Sequence, residues 1–306
     1  MKVTQDALFL KRLERPQGVV DVVLDTDTYN EVDDQFALAY LVKSADKLNL
    51  KAIYAAPFFN GKSTGPADGM EKSYQEIMNI LELMDREDLK ACVYRGSDRY
   101  LADEKTPVVS DSAKHLAELA MQYTPEKPLY VVAIGAITNV ASAILMQPQM
   151  IDRIVVVWLG GTALHWPDSL EFNLMQDVAA ARVVMGCGAA FVQLPCAGVV
   201  SAFTTTQGEL EMHLKGKNKL CDYLTGIVIR DGSAESPYKT WSRVIWDVTA
   251  VGWLLDESFM SDYLTPTPIP QYDNHYSMDS RRHLMRYVYH INRDGLFEDL
   301  FRKLAQ

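Results

Sequence analysis

Asp25, Asp27, Asp33 and Asp34 place four carboxylates within one short stretch, Asp25-Thr26-Asp27-Thr28-Tyr29-Asn30-Glu31-Val32-Asp33-Asp34. Carboxylates packed this closely repel one another unless a cation or a hydrogen-bonding ligand sits among them. The donor atoms on offer are all oxygens, a set that selects a hard divalent ion such as Mg²⁺, Ca²⁺ or Mn²⁺. The absence of a His or Cys cluster argues against Zn²⁺. A plainer role for Asp33 and Asp34 is to cap and charge the start of a helix. That accounts for a pair of acids but not for four.

The elements around this stretch explain why it matters. Gly18 to Asp25 is a β-branched apolar run of strand length, and Phe36, Leu38, Leu41 and Val42 suit a buried helix over Asp34 to Val42. The acids therefore fall at a strand end and a helix start. The same alternation recurs: strands over Leu50 to Ala56, Ala91 to Tyr94, Leu129 to Ile134, Ile154 to Leu159 and Phe191 to Leu194, with helices over Ser73 to Met84, Ser112 to Met121, Asn139 to Met146 and Val178 to Met185. Continuous apolar strands, each returned by a helix, predict an α/β fold with a mostly parallel open sheet flanked by helices. In such sheets ligands bind beyond the carboxyl ends of the strands. Residues 200–260 read as helical, Pro266, Pro268 and Pro270 break the chain, Leu284 to Ile291 predicts a late strand, and Asp294 is placed to cap a final helix.

The chain has 306 residues, 48% of them hydrophobic and 23% charged, enough to bury a large core, and no linker-like stretch divides it. One domain over 1–306 is expected. A formal charge of −10 weighs against nucleic acid and anionic membrane surfaces as partners and favours a small or neutral ligand. Cys92, Cys187, Cys196 and Cys221 form no Cys-x-x-Cys pair, which fits free thiols in a reducing cytoplasm. Residues 1–13 lack the apolar core of an export signal, and no 18-residue apolar span follows.

Asp25-Thr26-Asp27-Thr28 after an apolar strand matches the opening motif of haloacid-dehalogenase-like phosphatases, but no later Asp-Asp pair follows to complete their ion site. More of the chain resembles the inosine/uridine-preferring nucleoside hydrolase family. Its Asp-x-Asp-Pro-Gly-x-Asp-Asp signature is met by Asp25, Asp27, Asp33 and Asp34, with five residues, Thr28 to Val32, where the family usually has three. Gly135-Ala136-Ile137-Thr138-Asn139 resembles the family's Gly-Pro-Leu-Thr-Asn. Trp158-Leu159-Gly160-Gly161 resembles its Met-Gly-Gly strand end, Glu171-Phe172-Asn173 its Glu-Phe-Asn, and Trp246-Asp247 its His-Asp or Trp-Asp pair.

The resemblance implies a Rossmann-like nucleoside hydrolase fold and hydrolysis of a ribonucleoside's N-glycosidic bond to free base and ribose, using a Ca²⁺-bound water. It implies Ca²⁺ held by Asp27, Asp34, Asp247 and the main-chain carbonyl of Ile134, with Asp27 as general base. Asp33 and Asn173 would hold the ribose 2′- and 3′-hydroxyls, and Glu171 and His165 would lie toward the 5′-hydroxyl. Asn60 would add a sugar contact. Trp246, in place of the His of many pyrimidine-active members, would stack on a purine, although a Trp among Val244, Ile245 and Val248 also suits core packing. A homo-oligomer is usual in the family. The longer Thr28 to Val32 loop and the missing His leave open a second expectation, a non-hydrolytic Ca²⁺-dependent sugar- or nucleoside-binding protein on the same fold.

Overall fold

The computed structural model describes residues 2–306. Six strands, β1 Val20–Thr26, β2 Leu48–Ala55, β3 Val93–Arg95, β4 Leu129–Ala133, β5 Ile154–Leu159 and β6 Ala190–Leu194, join β7 Met260–Pro266 and β8 Leu284–Ile291 in one eight-stranded sheet of order β3-β2-β1-β4-β5-β6-β8-β7. All neighbours are parallel except β7, which runs antiparallel to β8 at the edge. The sheet is the mostly parallel, helix-flanked one expected. From β1 the chain winds outward through β2 and β3, then returns to place β4 on the other side of β1. The order thus reverses between β1 and β4, and the crevice at such a reversal is where open parallel sheets bind ligands.

Both faces of the sheet are covered. Val22 and Leu24 of β1 join an apolar cluster with Phe36, Leu38, Trp253 and Leu296, while Val23 joins the opposite cluster with Leu116, Val140, Met185 and Phe191. This is the period-two alternation of a strand buried on both sides. The helix Asp34–Val42 is buried at every position, as is the helix Val248–Leu255, and the two pack against each other. Neither needs a polar face, because neighbours enclose both.

The C-terminal third departs from the helical reading of 200–260. Helices span Gln207–His213, Lys219–Glu235 and Val248–Leu255, but Thr204–Thr205 pairs with Arg243–Val244 as a short antiparallel ribbon, and Met260–Pro266 is a sheet strand. That strand, MSDYLTP, is a half-exposed edge with a polar-apolar mixture, so it lacks the continuous apolar run that marked the inner strands. The last helix, Arg293–Leu304, is capped by Asn292, whose side chain accepts from Gly295 N at 3.2 Å. Asp294 instead lies in the first turn. A helix over Lys2–Arg12 precedes β1. All four cysteines are free thiols. Among the described residues, no helix is long and apolar enough to cross a membrane.

Candidate active site

Two helix starts and two strand ends converge at the β1/β4 reversal. β1 ends at Thr26 and delivers Asp27, the chain turns with Asn30 N bonded to Asp27 O at 2.7 Å, and Asp33 caps the helix that opens with Asp34. Asp247 caps the buried helix Val248–Leu255. Because those two helices pack together, their amino termini meet, and Asp247 N donates to Asp33 Oδ2 at 3.3 Å. Aligned helix dipoles and unpaired first-turn N–H groups favour negative charge there. Neither Asp33 nor Asp247 makes a side-chain capping bond, so these carboxylates are turned to another use.

The carboxylates border a cavity of about 190 Å³, completed by Asn30, Glu31, Ile134, Leu159, Glu171, Phe172, Asn173, Cys196, Ala197 and Trp246. A ligand pocket for a drug-sized molecule is usually ~300–1,000 Å³, so this smaller, half-open space suits a pentose-sized group. A larger cleft of about 670 Å³ lies near the amino end of β1, lined by residues such as Arg12, Pro16, Tyr123 and Lys127. It takes none of the acids at the β1 carboxyl end.

Asp27, Asp33, Asp34 and Asp247 are each at most 4% exposed. Ligand oxygens of Asp33, Asp34 and Asp247 all lie within 4.8 Å of one another. Burial first, then the charges of Asp34 and Asp33, hold the Asp27 carboxyl well above the usual carboxylate range. Burial and Asp34 push Asp33 up to about 7, against an opposing pull from Arg243. Burial lifts Asp34 to about 6, while the Thr26 hydroxyl, donating to its Oδ1 at 2.6 Å, restrains it. Asp247 is raised well above its ordinary value by burial and by Asp33, Asp34 and Asp27. Among the described residues, no N–H or hydroxyl donates to either buried Asp27 oxygen, and its side-chain neighbour is another carboxyl, Asp34. A buried carboxylate with no partner is costly, and a hard divalent cation among these oxygens relieves that cost and the mutual repulsion together. The residues fit such an ion: the donors are oxygens, clustered and buried.

The expected ligand set and the closest cluster overlap without coinciding. Asp34 and Asp247 belong to both, Asp33 completes the tight trio, and Asp27 and the Ile134 carbonyl border the same cavity. Ile134 O already accepts from Asn173 Nδ2 at 3.2 Å, which leaves it one lone pair. Asn173 Nδ2 also reaches Leu159 O at 3.0 Å, so its amide oxygen remains to face a ligand. Glu171 accepts from Gly161 N, Asn173 N and Leu174 N at 2.7–3.0 Å and caps the helix Phe172–Gln176.

A profile of the inosine-uridine preferring nucleoside hydrolases matches residues 22–295, a span that contains every one of these cavity residues. The chain belongs to this family. Relatives described as inosine-uridine preferring nucleoside hydrolases include one from Crithidia fasciculata, 33% identical over 93 residues covering 29% of each chain. Another, from Leishmania major, is 25% identical over 178 residues, 57% of this chain and 56% of the relative. Both alignments span less than two thirds of the relatives' length. A solved plant nucleoside hydrolase shares the fold at a TM-score of 0.76 and 19% identity, covering 95% of this chain and 99% of its own.

Within this family member, the motif residues take distinct places. Gly135 lies against Asp27: a Cβ there would stand 2.8 Å from Asp27 Oδ1. Gly161 has φ +73°, and a Cβ would meet the Tyr276 hydroxyl at 2.0 Å. Asn139 is structural, donating to Asp25 Oδ1 at 2.8 Å and accepting from Ser97 N and Oγ at 2.8 Å. Asp25, raised by burial to about 7, thus stands behind the cavity rather than in it. Trp246 is half-buried, with one side on the cavity and another on the core. Asn60 lies outside the cavity lining and reaches it through Asn30, donating to Asn30 Oδ1 at 2.6 Å. His165 is exposed on the loop after Gly161, its ring against Trp166, away from the cavity.

Five lining or neighbouring residues escaped sequence reasoning: Asn30, Glu31, Cys196, Ala197 and Arg243. Asn30 and Glu31 sit between the paired acids and read only as spacer. Arg243, four positions before Asp247, offered a usable signal, a cation close in sequence to an acid bound for a carboxylate cluster.

Proposed function

We propose that this family member hydrolyses the N-glycosidic bond of purine ribonucleosides, with Ca²⁺ held at the carboxylate cluster. The observation that carries the reading is Asp27, buried among carboxyls with no N–H or hydroxyl donor on either oxygen, in the lining of a pentose-sized cavity. Asp27, Asp34, Asp247 and the Ile134 carbonyl would hold the ion, with Asp33 close enough to share it. When bound, a hard divalent cation neutralises the carboxylates and acidifies a water beside it.

Asp27 then takes the proton of the attacking water as that oxygen adds to C1′. The C–N bond breaks with its electron pair leaving on the base. Asp33 and the Asn173 amide oxygen accept from the ribose hydroxyls and fix C1′ against the nucleophile. Positive charge on the sugar grows only as the bond breaks, so a cavity walled by carboxylates stabilises the transition state more than the ground state. Trp246 offers an indole face to the departing purine. Glu171, held by three main-chain N–H groups, shapes the far wall toward the sugar's 5′ end. His165 has no part in this reading, and Asn60 acts by holding Asn30.

Release of reducing sugar from nucleosides, measured with and without Ca²⁺ in the wild type and Asp27→Ala, tests the proposal. Ca²⁺-dependent release abolished by the substitution is the expected result. Release that persists in the variant refutes the assignment.

A further inference from the structure

We propose that Arg243 is a positioning residue that latches the acid-bearing loop over the cavity and thereby sets the site's affinity for its cation. The inference rests on the metal-assisted reading above. The loop Thr28 to Val32 connects Asp27 to Asp33, and its Glu31 lines the cavity. Arg243 Nη2 meets Glu31 Oε2 at 3.0 Å and Asp231 Oδ2 at 2.9 Å, with side-chain exposures of 19% for Arg243 and 14% for Asp231. One guanidinium thus ties the loop to the helix Lys219–Glu235.

Arg243 is itself anchored. Its backbone pairs with Thr205 in the short ribbon, and Ile245 N donates to Phe203 O at 3.0 Å, two residues before Asp247. The latch therefore connects the two distant segments that supply carboxylates, residues 27–34 and residue 247. On its other side the loop is pinned by the Asn60–Asn30 bond. Both carboxylates meet the one Nη2, and a lysine ammonium, on a more flexible stem and more strongly hydrated, holds such a point less firmly.

Charge and position predict opposite outcomes at this residue. As a bare positive charge near the cluster, Arg243 repels a cation, so its removal would tighten Ca²⁺ binding. As a latch it holds the ligands in place, and its removal weakens binding. Groups behind metal ligands commonly change affinity by ~10–100-fold.

The experiment is calorimetric titration of CaCl₂ into chelator-stripped wild-type protein, Arg243→Ala and Arg243→Lys, with hydrogen exchange of residues 28–32 in the metal-free proteins. The expected result is about ten-fold or greater weakening in Arg243→Ala, an intermediate loss in Arg243→Lys, and faster exchange confined to the loop. Excess Ca²⁺ should then restore turnover. Unchanged or tighter Ca²⁺ binding in Arg243→Ala overturns the latch while leaving the metal reading intact. A wild type that takes up no Ca²⁺ overturns the metal reading and the latch with it. If Arg243→Ala does not fold, Arg243→Lys decides: weaker binding supports the latch, and wild-type affinity overturns it.

Discussion

Stripping the cation should make the protein less stable at pH 8 than at pH 5. Folded Asp33 titrates at about 7 and folded Asp34 at about 6, against an ordinary value of 3.8 that the unfolded chain retains. A carboxyl whose folded pKa is raised binds its proton more tightly in the native state. Its contribution is intact below about 3.8 and is lost as the pH climbs to the folded value. From pH 5 to pH 8 the Asp33 part alone spans about two units, or about 3 kcal/mol. Asp34 adds about 1 kcal/mol, less whatever repulsion the two share. At ~2–4 °C per kcal/mol, the metal-free melting temperature should fall by roughly 6–16 °C. Thermal melts in chelator at the two pH values measure this, with Asp33→Asn as the control that narrows the difference. Saturating Ca²⁺ should reverse the order, because the ion binds the deprotonated carboxylates and stabilises the folded state by mass action. A chelated wild type that melts at the same or a higher temperature at pH 8 would refute the claim that burial and mutual repulsion raise these acids in the metal-free protein.

Gly135→Ala should fold yet lose most turnover, because the new methyl meets Asp27 Oδ1 at 2.8 Å and displaces the carboxylate; steady-state rates beside an unchanged far-ultraviolet dichroism spectrum check it. Asn139→Ala should cost about 3–5 kcal/mol in urea unfolding, since it strips buried Asp25 and the Ser97 amide of their partner at one stroke. Trp246→Ala should lower kcat/KM for inosine relative to uridine by about ten-fold, the size of one aromatic stacking contact; an unchanged ratio would make the indole core packing only.

The architecture was legible wherever burial was symmetric. β4 and β5, buried on both faces, announced themselves as continuous apolar runs, and the fully buried helix after Asp34 followed from its composition. The edge strand Met260–Pro266 was not legible, because one of its sides has no partner strand and its residues carry no continuous apolar signal. The four-acid stretch was readable as a site because clustered charge is expensive in any fold. What sequence could not show is which neighbour each acid faces. Asp25 looks equivalent to Asp27, yet it lies within β1 on the face it shares with Val23 and there meets Asn139, whereas Asp27 lies past the strand end and borders the cavity. Asn60 stands close enough to reach the site only through Asn30, and His165 falls outside because the loop after Gly161 carries it to the surface. Glu31 and Arg243, 212 positions apart, pair only once the helix and ribbon are in place.

The most direct test of the central claim is a reducing-sugar assay on chelator-stripped protein with inosine, adenosine, guanosine, uridine and cytidine, run with and without added Ca²⁺, for the wild type and Asp27→Ala. Release should require Ca²⁺, run faster with the three purine nucleosides, and be absent in the variant. No release above the variant's background from any of the five, while calorimetry still detects Ca²⁺-dependent ribose binding, would contradict it and assign the cavity to sugar binding alone.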